Sequence, residues 1–289
     1  MRRDVDLIIV PYDSGMRDVR MGRGPSALVR AGVTARLARE GVDVRVVPVE
    51  PETNFTAEIA TAFELQRGVR RAVEASIAAG RLPMSLTGNC NTGVVGSLAA
   101  APLEDTTGLF WFDAHSDAET PETTTSGFLD GTGLAMALGC CWSGMLNSVG
   151  SWTLEGSHTA LVGAREISAA AQRLLYQRDV AIVAPPDARA GSLQPVFERF
   201  AATGVRRVHV HIDLDVLDSE MVGPANTYAL PDGLTEQQLL DLVEQIMARY
   251  EVASASVASY DPDVDETGRV AAAGVNVVTH LAASGQTVG

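Results

Sequence analysis

Three things are scarce in this chain, and each scarcity excludes something. Cysteine is the first: the 289 residues contain 3, namely Cys90 and the adjacent Cys140 and Cys141. Neighbouring cysteines rarely bridge because the geometry is strained, so no disulfide framework is expected to hold the fold. Basic residues are the second, with 22 Lys plus Arg against 36 Asp plus Glu and a net charge of -14. That balance argues against nucleic acid or an anionic membrane as the main partner and suits a cationic substrate or a metal. Long apolar runs are the third. None reaches membrane-spanning length, and Met1-Arg2-Arg3-Asp4-Val5 passes into a strand-like run without the apolar stretch of a signal peptide. A reducing cytoplasm is the expected location.

Hydrophobic residues at 46% and charged ones at 20% match an ordinary soluble globule, and one unit over residues 1–289 is expected. Short apolar runs at 6–10, 42–49, 84–87, 109–112, 159–163, 180–184, 207–214 and 252–259 read as eight strands. Helical spacing fills the gaps from Pro25 toward Gly41 and over 54–81, 169–178, 193–202, 236–249 and 269–282, with Asn54 or Thr56 as the cap of the second. Strands alternating with helices require crossovers, which predicts an α/β fold with a mostly parallel eight-stranded sheet covered on both faces, a three-layer α/β/α arrangement. Ligands of such sheets sit at the carboxyl ends of the strands.

Two polar trios fall at such ends. Trp111-Phe112 is followed by Asp113, His115 and Asp117 at alternate positions, and Val210 is followed by His211, Asp213 and Asp215 in the same pattern. On an extended segment alternate residues share a face, so each trio converges. A single Asp is ordinarily explained by helix capping or an Arg partner. Two alternating trios at the ends of buried strands would repel one another unless cations neutralise them, which predicts bound divalent metal. His209 is expected to face away from His211 and to be structural.

The motifs Asp113-Ala114-His115-Ser116-Asp117, Thr120-Pro121, Thr124-Thr125-Ser126-Gly127 and Asp213-Leu214-Asp215-Val216-Leu217-Asp218 are similar to those of the ureohydrolase family of arginases and agmatinases. The resemblance extends to Gly24-Pro25-Ser26-Ala27-Leu28, to Val162-Gly163-Ala164-Arg165-Glu166 and to Asp261-Pro262, and so spans nearly the whole chain. It implies a bridged two-manganese site, with other divalent ions as alternatives. Asp113 and Asp213 would bridge, Asp117 would complete one site, and His115 and Asp215 the other. It also implies hydrolysis of a guanidino or related C–N bond, with Asp117, Asp130 and His115 as the catalytic candidates, and homo-oligomers, trimers or hexamers.

Three departures qualify what the resemblance implies. The family's metal-ligating His aligns with Asn91 in Gly88-Asn89-Cys90-Asn91-Thr92, which makes Asn91 the sixth metal candidate, while Cys90 could serve if the turn is shifted by one residue. The family's guanidinium-binding Glu falls on Ser259. The His of the arginase substrate loop is replaced by Asp130, and the acid that would read an α-amino group by Ser168. Free arginine is therefore not the expected substrate. Thr120-Pro121-Glu122-Thr123-Thr124, His211-Ile212-Asp213 and Pro231-Asp232-Gly233 resemble a divergent branch, the hydroxyarginine hydrolase of D-cycloserine biosynthesis. The expected function is metal-dependent hydrolysis of a modified guanidino or amidino small molecule. Glu119, Ser126, Asp130, Ser168, Thr227 and Ser259 are the candidates to line its pocket. The rivals are a one-metal amidohydrolase or deacylase and a metal-depleted binding protein of the same fold.

Overall fold

Eight parallel strands, largely buried except for the two at the sheet edges, build the centre of the chain: β1 (Val5–Val10), β2 (Val44–Pro48), β3 (Leu82–Thr87), β4 (Thr107–Phe112), β5 (Thr159–Val162), β6 (Ala181–Val183), β7 (Arg207–Asp213) and β8 (Glu251–Ala258). The computed structural model describes residues 3–101 and 106–282. In the sheet the strands run β2-β1-β3-β8-β7-β4-β5-β6, all pairs parallel. The four central strands β3, β8, β7 and β4 are therefore neighbours although they come from distant parts of the chain. Their carboxyl ends open on one rim.

Alternate strand residues feed two helical layers. Leu7, Met84, Phe110, Val210 and Val257 pack with apolar residues of the helices Gly24–Arg30 (α1), Val33–Arg39 (α2), Gln194–Ala202, Glu236–Met247 and Arg269–Ala282. On the other face Ile8 and Val10 meet Leu65, Val69 and Val73 of the helix Glu58–Ala78 (α3). Leu109, Trp111 and Leu161 on that face meet Cys90, Val94 and Leu98 of the helix Cys90–Ala100 (α4). This is the expected three-layer α/β/α fold. Among the described residues no helix is long and apolar enough to cross a membrane.

Three local readings change. The helix expected from residue 54 begins at Glu58, after Ala57 and without a side-chain cap, so neither Asn54 nor Thr56 caps it. Helix α4 was not expected at all, because it is buried along its whole described face and carries no amphipathic period. Two of its glycines are spacing residues: a Cβ at Gly93 would lie 2.9 Å from Ser256 Cβ, and one at Gly96 would lie 2.6 Å from Val69 Cβ. Finally, His209 and His211 point the same way, as residues two apart on a strand must. Both rings reach the Ser256 hydroxyl, at 2.9 and 2.7 Å.

The rim opposite the site is tied by Asp6, a buried acid inside β1. Its carboxylate accepts from Arg45 of β2 at 2.8 Å, from Arg81 just before β3 at 2.6 Å, and from the Ser76 hydroxyl of α3 at 2.7 Å. Burial disfavours its charge, but these donors outweigh burial and hold the carboxyl at about 2, below its ordinary 3.8. A depressed folded-state value contributes stability above the ordinary value that is lost as pH falls through the depressed one. Asp6→Asn is therefore expected to cost on the order of 1–2 kcal/mol at pH 7, since half-exposed Arg45 is screened by solvent. The gap to the parent protein in urea unfolding should close between about pH 4 and pH 2; a gap that stays constant across that range would refute this account.

Candidate metal centre and pocket

The four central strands each deliver polar side chains to the rim, directly or within a few residues of the strand end. β4 stops at Phe112, so Asp113, His115 and Asp117 are carried by the loop after it, and Asp117 adopts a left-handed φ of 45°. That turn aims the Asp117 carbonyl at the N–H groups of Leu134 and Ala135, 2.8 and 3.2 Å away. β7 ends on Asp213, and Asp215 sits in the single turn of 3-10 helix Leu214–Val216. Asp113, His115 and Asp117 converge with Asp213 and Asp215, through loop turns more than through a strand's pleat, while His211 of the second trio does not join them.

Backbone and indole donors hold the carboxylates in place. Asp113 accepts from Trp111 Nε1 at 2.8 Å and from the His115 amide at 2.7 Å. Asp213 accepts from the Asp215 amide at 2.8 Å, and Asp215 from the Ala114 amide at 3.1 Å. His115 Nδ1 lies 3.4 Å from Asp113 and 3.3 Å from Asp215. His211 turns to Ser256 and its other ring nitrogen is buried without a partner, so it belongs to the layer beneath the site.

Cys90, not Asn91, meets these acids. The Cys90 thiol donates to Asp213 Oδ2 at 3.1 Å and lies 3.2 Å from the Ser259 hydroxyl. Asn91 turns its side chain into the helical layer, where its oxygen accepts from Gln66 at 2.9 Å and its amide donates to Asp130 at 2.8 Å. The expected sixth position is thus corrected by one residue. Two sets of possible ligand atoms share Cys90: one with Asp113 and Asp213, another with Asp117 and Asp130; a third set is Asp113, His115 and Asp215.

The electrostatics of this cluster call for cations. Burial pushes the Asp213 carboxyl well up, and the charges of Asp215 and Asp113 add to it. Asp117 is pushed well up by burial and then by Asp113, Asp130 and Asp213. The Cys90 thiol rises with burial and with the same ring of acids. His115 responds in the opposite sense: burial disfavours its charge, yet hydrogen bonds and charge from Asp113 and Asp215 raise it to about 12. Groups that repel one another's ionisation this strongly are the donor set a divalent cation accepts. Imidazole, carboxylates and one thiolate fit two such ions.

Asp130 lines the pocket, as expected, and also braces the helix beneath it. It is buried, and both its oxygens are taken by the first turn of α4, Oδ2 by the Cys90 amide and Oδ1 by the Asn91 amide, each at 2.8 Å. It lines the pocket but acts as an anchor for the segment that presents the thiol. Glu119, Ser126, Ser168 and Ser259 also line a cavity of about 390 Å³, together with Phe128, Glu166, Asn226 and Tyr228. Thr227 is exposed and outside that lining, while its neighbours on either side are in it. Asn226 escaped the sequence reading. Its side-chain amide donates to Asp215 at 3.2 Å and to the Ser259 carbonyl at 2.9 Å, linking β7 to the left-handed turn at Ser259, φ 64°. Nothing in the sequence around it distinguishes it from a loop asparagine.

Comparison with known proteins agrees with this architecture. The model of the arginase family matches residues 3–283. An arginase of Bacillus caldovelox is 26% identical over 96% of this chain and 98% of its own. An N(omega)-hydroxy-L-arginine amidinohydrolase of Streptomyces lavendulae is 28% identical over 84% of each chain. The crystal structure of an arginase from Bacillus cereus superposes with a TM-score of 0.85 at 25% identity, covering 99% of this chain and 100% of that one.

The reassignment from Asn91 to Cys90 separates two variants. Cys90→Ala is expected to lower the divalent metal bound per chain, read by elemental analysis after dialysis, and to abolish the thiolate-to-metal absorption band of a cobalt-loaded protein. Asn91→Ala should leave both unchanged while costing roughly 1–3 kcal/mol of stability, because Gln66 and Asp130 lose a buried partner. Metal loss in the Asn91 variant alone would reverse the assignment.

Proposed function

The chain belongs to the arginase family, and from that premise we propose that it is a manganese-dependent hydrolase that cleaves a C–N bond of a modified guanidino compound, with an N-hydroxyguanidine as the favoured reacting group. The single observation that carries the departure from arginine is Ser259. The strand end where the family resemblance implies a guanidinium-pairing Glu presents instead a buried hydroxyl against the Cys90 thiol, 3.2 Å away. A hydroxyl cannot neutralise a buried cation. An oxygen on the guanidine nitrogen withdraws electron density and makes the group a weaker base, so it enters such a site neutral. The relative that hydrolyses N(omega)-hydroxy-L-arginine supports the same reading.

Cys90, Asp113, Asp117 and Asp213 would hold one cation, and Asp113, His115, Asp213 and Asp215 the other. Bound there, divalent ions supply Lewis acidity and lower the pKa of water, so that a nucleophile exists at neutral pH. The chain's own residues do the rest. Asp117, on the pocket wall, accepts a hydrogen bond from the attacking water and orients it. Asp130 holds the Cys90 segment in place and, with both oxygens occupied, is a positioning residue. Asn226 keeps Asp215 and the Ser259 turn in register. Water's oxygen bonds to the guanidine carbon, the bond from that carbon to the alkyl-bearing nitrogen breaks, and of water's two protons one goes to the leaving amine and the other to the hydroxylated nitrogen, leaving hydroxyurea. Cys90 as a ligand would remove one of the two premises of the metal-depleted reading, which rested on Asn91 and Ser259 together.

The test is a manganese-supplemented assay comparing N-hydroxy-L-arginine with L-arginine, read as hydroxyurea against urea. We expect kcat/KM at least tenfold higher for the hydroxylated compound. Ser259→Glu should narrow or invert that ratio by restoring a partner for a protonated guanidinium. Equal or faster turnover of arginine by the unmodified protein would refute the proposal.

A further inference from the structure

The charge around the pocket is one-sided. His115 is its basic lining residue, the acids are Asp117, Glu119, Asp130, Glu166, Asp213 and Asp215, and among the described residues no Lys or Arg lines it. The floor acids have their counter-charges in the proposed cations, and Asp130 has the amides of α4. Glu119 has only neutral partners. The hydroxyls of Thr123 and Ser168 donate to its two oxygens, one to each. Ser168 is itself fixed as the N-cap of the helix Ala169–Gln177, accepting from the Ala171 amide at 3.0 Å. Two hydroxyls orient a carboxylate without cancelling its charge, so an aimed negative group is left on the pocket wall.

The same mouth carries an aromatic pair from two different loops. Phe128 and Tyr228 stack with ring centroids 5.9 Å apart and planes 28° from parallel. Both are braced from below: the Phe128 amide donates to Ser126 Oγ at 3.2 Å, and the Tyr228 amide to Asn226 Oδ1 at 2.8 Å. Tyr228 remains 46% exposed, so core packing does not account for it. Aromatic faces beside a fixed carboxylate make a wall suited to an alkyl chain that ends in a cation.

We propose that Glu119 is a specificity-determining residue that binds a primary ammonium on the substrate's tail, the end remote from the C–N bond cleaved, with Phe128 and Tyr228 flanking the alkyl chain. This deepens the proposed function and rests on its placement of the reacting group at the metal floor. The ammonium can belong to an α-amino acid or to a simple amine without a carboxylate. The recognising chemistry is the same for both.

Calorimetric titration of the manganese-loaded full-length protein with three product-like probes tests this without requiring turnover. L-Ornithine has two ammonium groups and a carboxylate, 1,4-diaminobutane has two ammonium groups alone, and 5-aminopentanoate has no tail ammonium. At least one diammonium probe should bind roughly tenfold or more tightly than 5-aminopentanoate, the size of one charge-assisted contact. Glu119→Gln, whose amide keeps an acceptor for one of the two hydroxyls and turns its NH2 to the other, should erase that gap without weakening 5-aminopentanoate binding. A gap for both diammonium probes supports recognition of the ammonium alone; a gap for L-ornithine only supports it as part of an α-amino acid. Equal binding of all three probes, binding of none, or a uniform loss in Glu119→Gln would overturn the proposal. Failure to hydrolyse N-hydroxy-L-arginine with the gap intact would count against the earlier substrate reading and leave this one standing.

Discussion

Mutual repulsion among buried carboxylates is the constraint on which the rest of this structure depends. Asp113, Asp213 and Asp215 are nearly inaccessible to solvent, and each stands close enough to another to shift its ionisation. Such a cluster survives folding because every carboxylate is held by a donor, an amide or the Trp111 indole, and because His115 sits between two of them. The parallel sheet makes the cluster possible. It brings β3, β8, β7 and β4 side by side, and their carboxyl ends open together. Under the proposed function, divalent cations would complete what the donors begin.

Two departures from the family pattern prove to be one feature. Cys90, at the start of α4, and Ser259, just past the end of β8, touch each other at 3.2 Å, so the thiol and the hydroxyl alter the same corner of the pocket floor. Asp130, read as a stand-in for a substrate-loop histidine, is instead the acid that fixes the first turn of α4. Asn226 ties the other side of this floor to the loop that carries Tyr228. Floor and mouth of the pocket thus share a brace in Asn226, which bonds both to Asp215 and to the Tyr228 amide.

The fold was legible because its strands are short apolar runs between helical stretches, and period and length alone announce that alternation. The two acidic trios were legible because charges at the ends of apolar runs are rare without a reason. Helix α4 was not, since a helix buried all round carries no polar face to reveal its period. Its residues were read as a turn, and the ligand position slipped from Cys90 to Asn91. One residue along a helix rotates a side chain by about 100°, enough to send Asn91 to Gln66 and bring Cys90 to Asp213.

The sequence by itself therefore determined the class of fold, the sheet's strands and the carboxylate-rich clusters of a candidate metal centre, because these follow from local pattern and from the cost of burying charge. Which residue faces the acids at the sixth candidate position was decided only by tertiary structure, as were the anchoring of α4 by Asp130 and the pairing of Glu119 with Ser168. Each of these turns on a contact between residues 40 to 123 positions apart. Such contacts depend on the angle at which a side chain leaves its element and on what the opposite element offers it, and neither is written in a spacing.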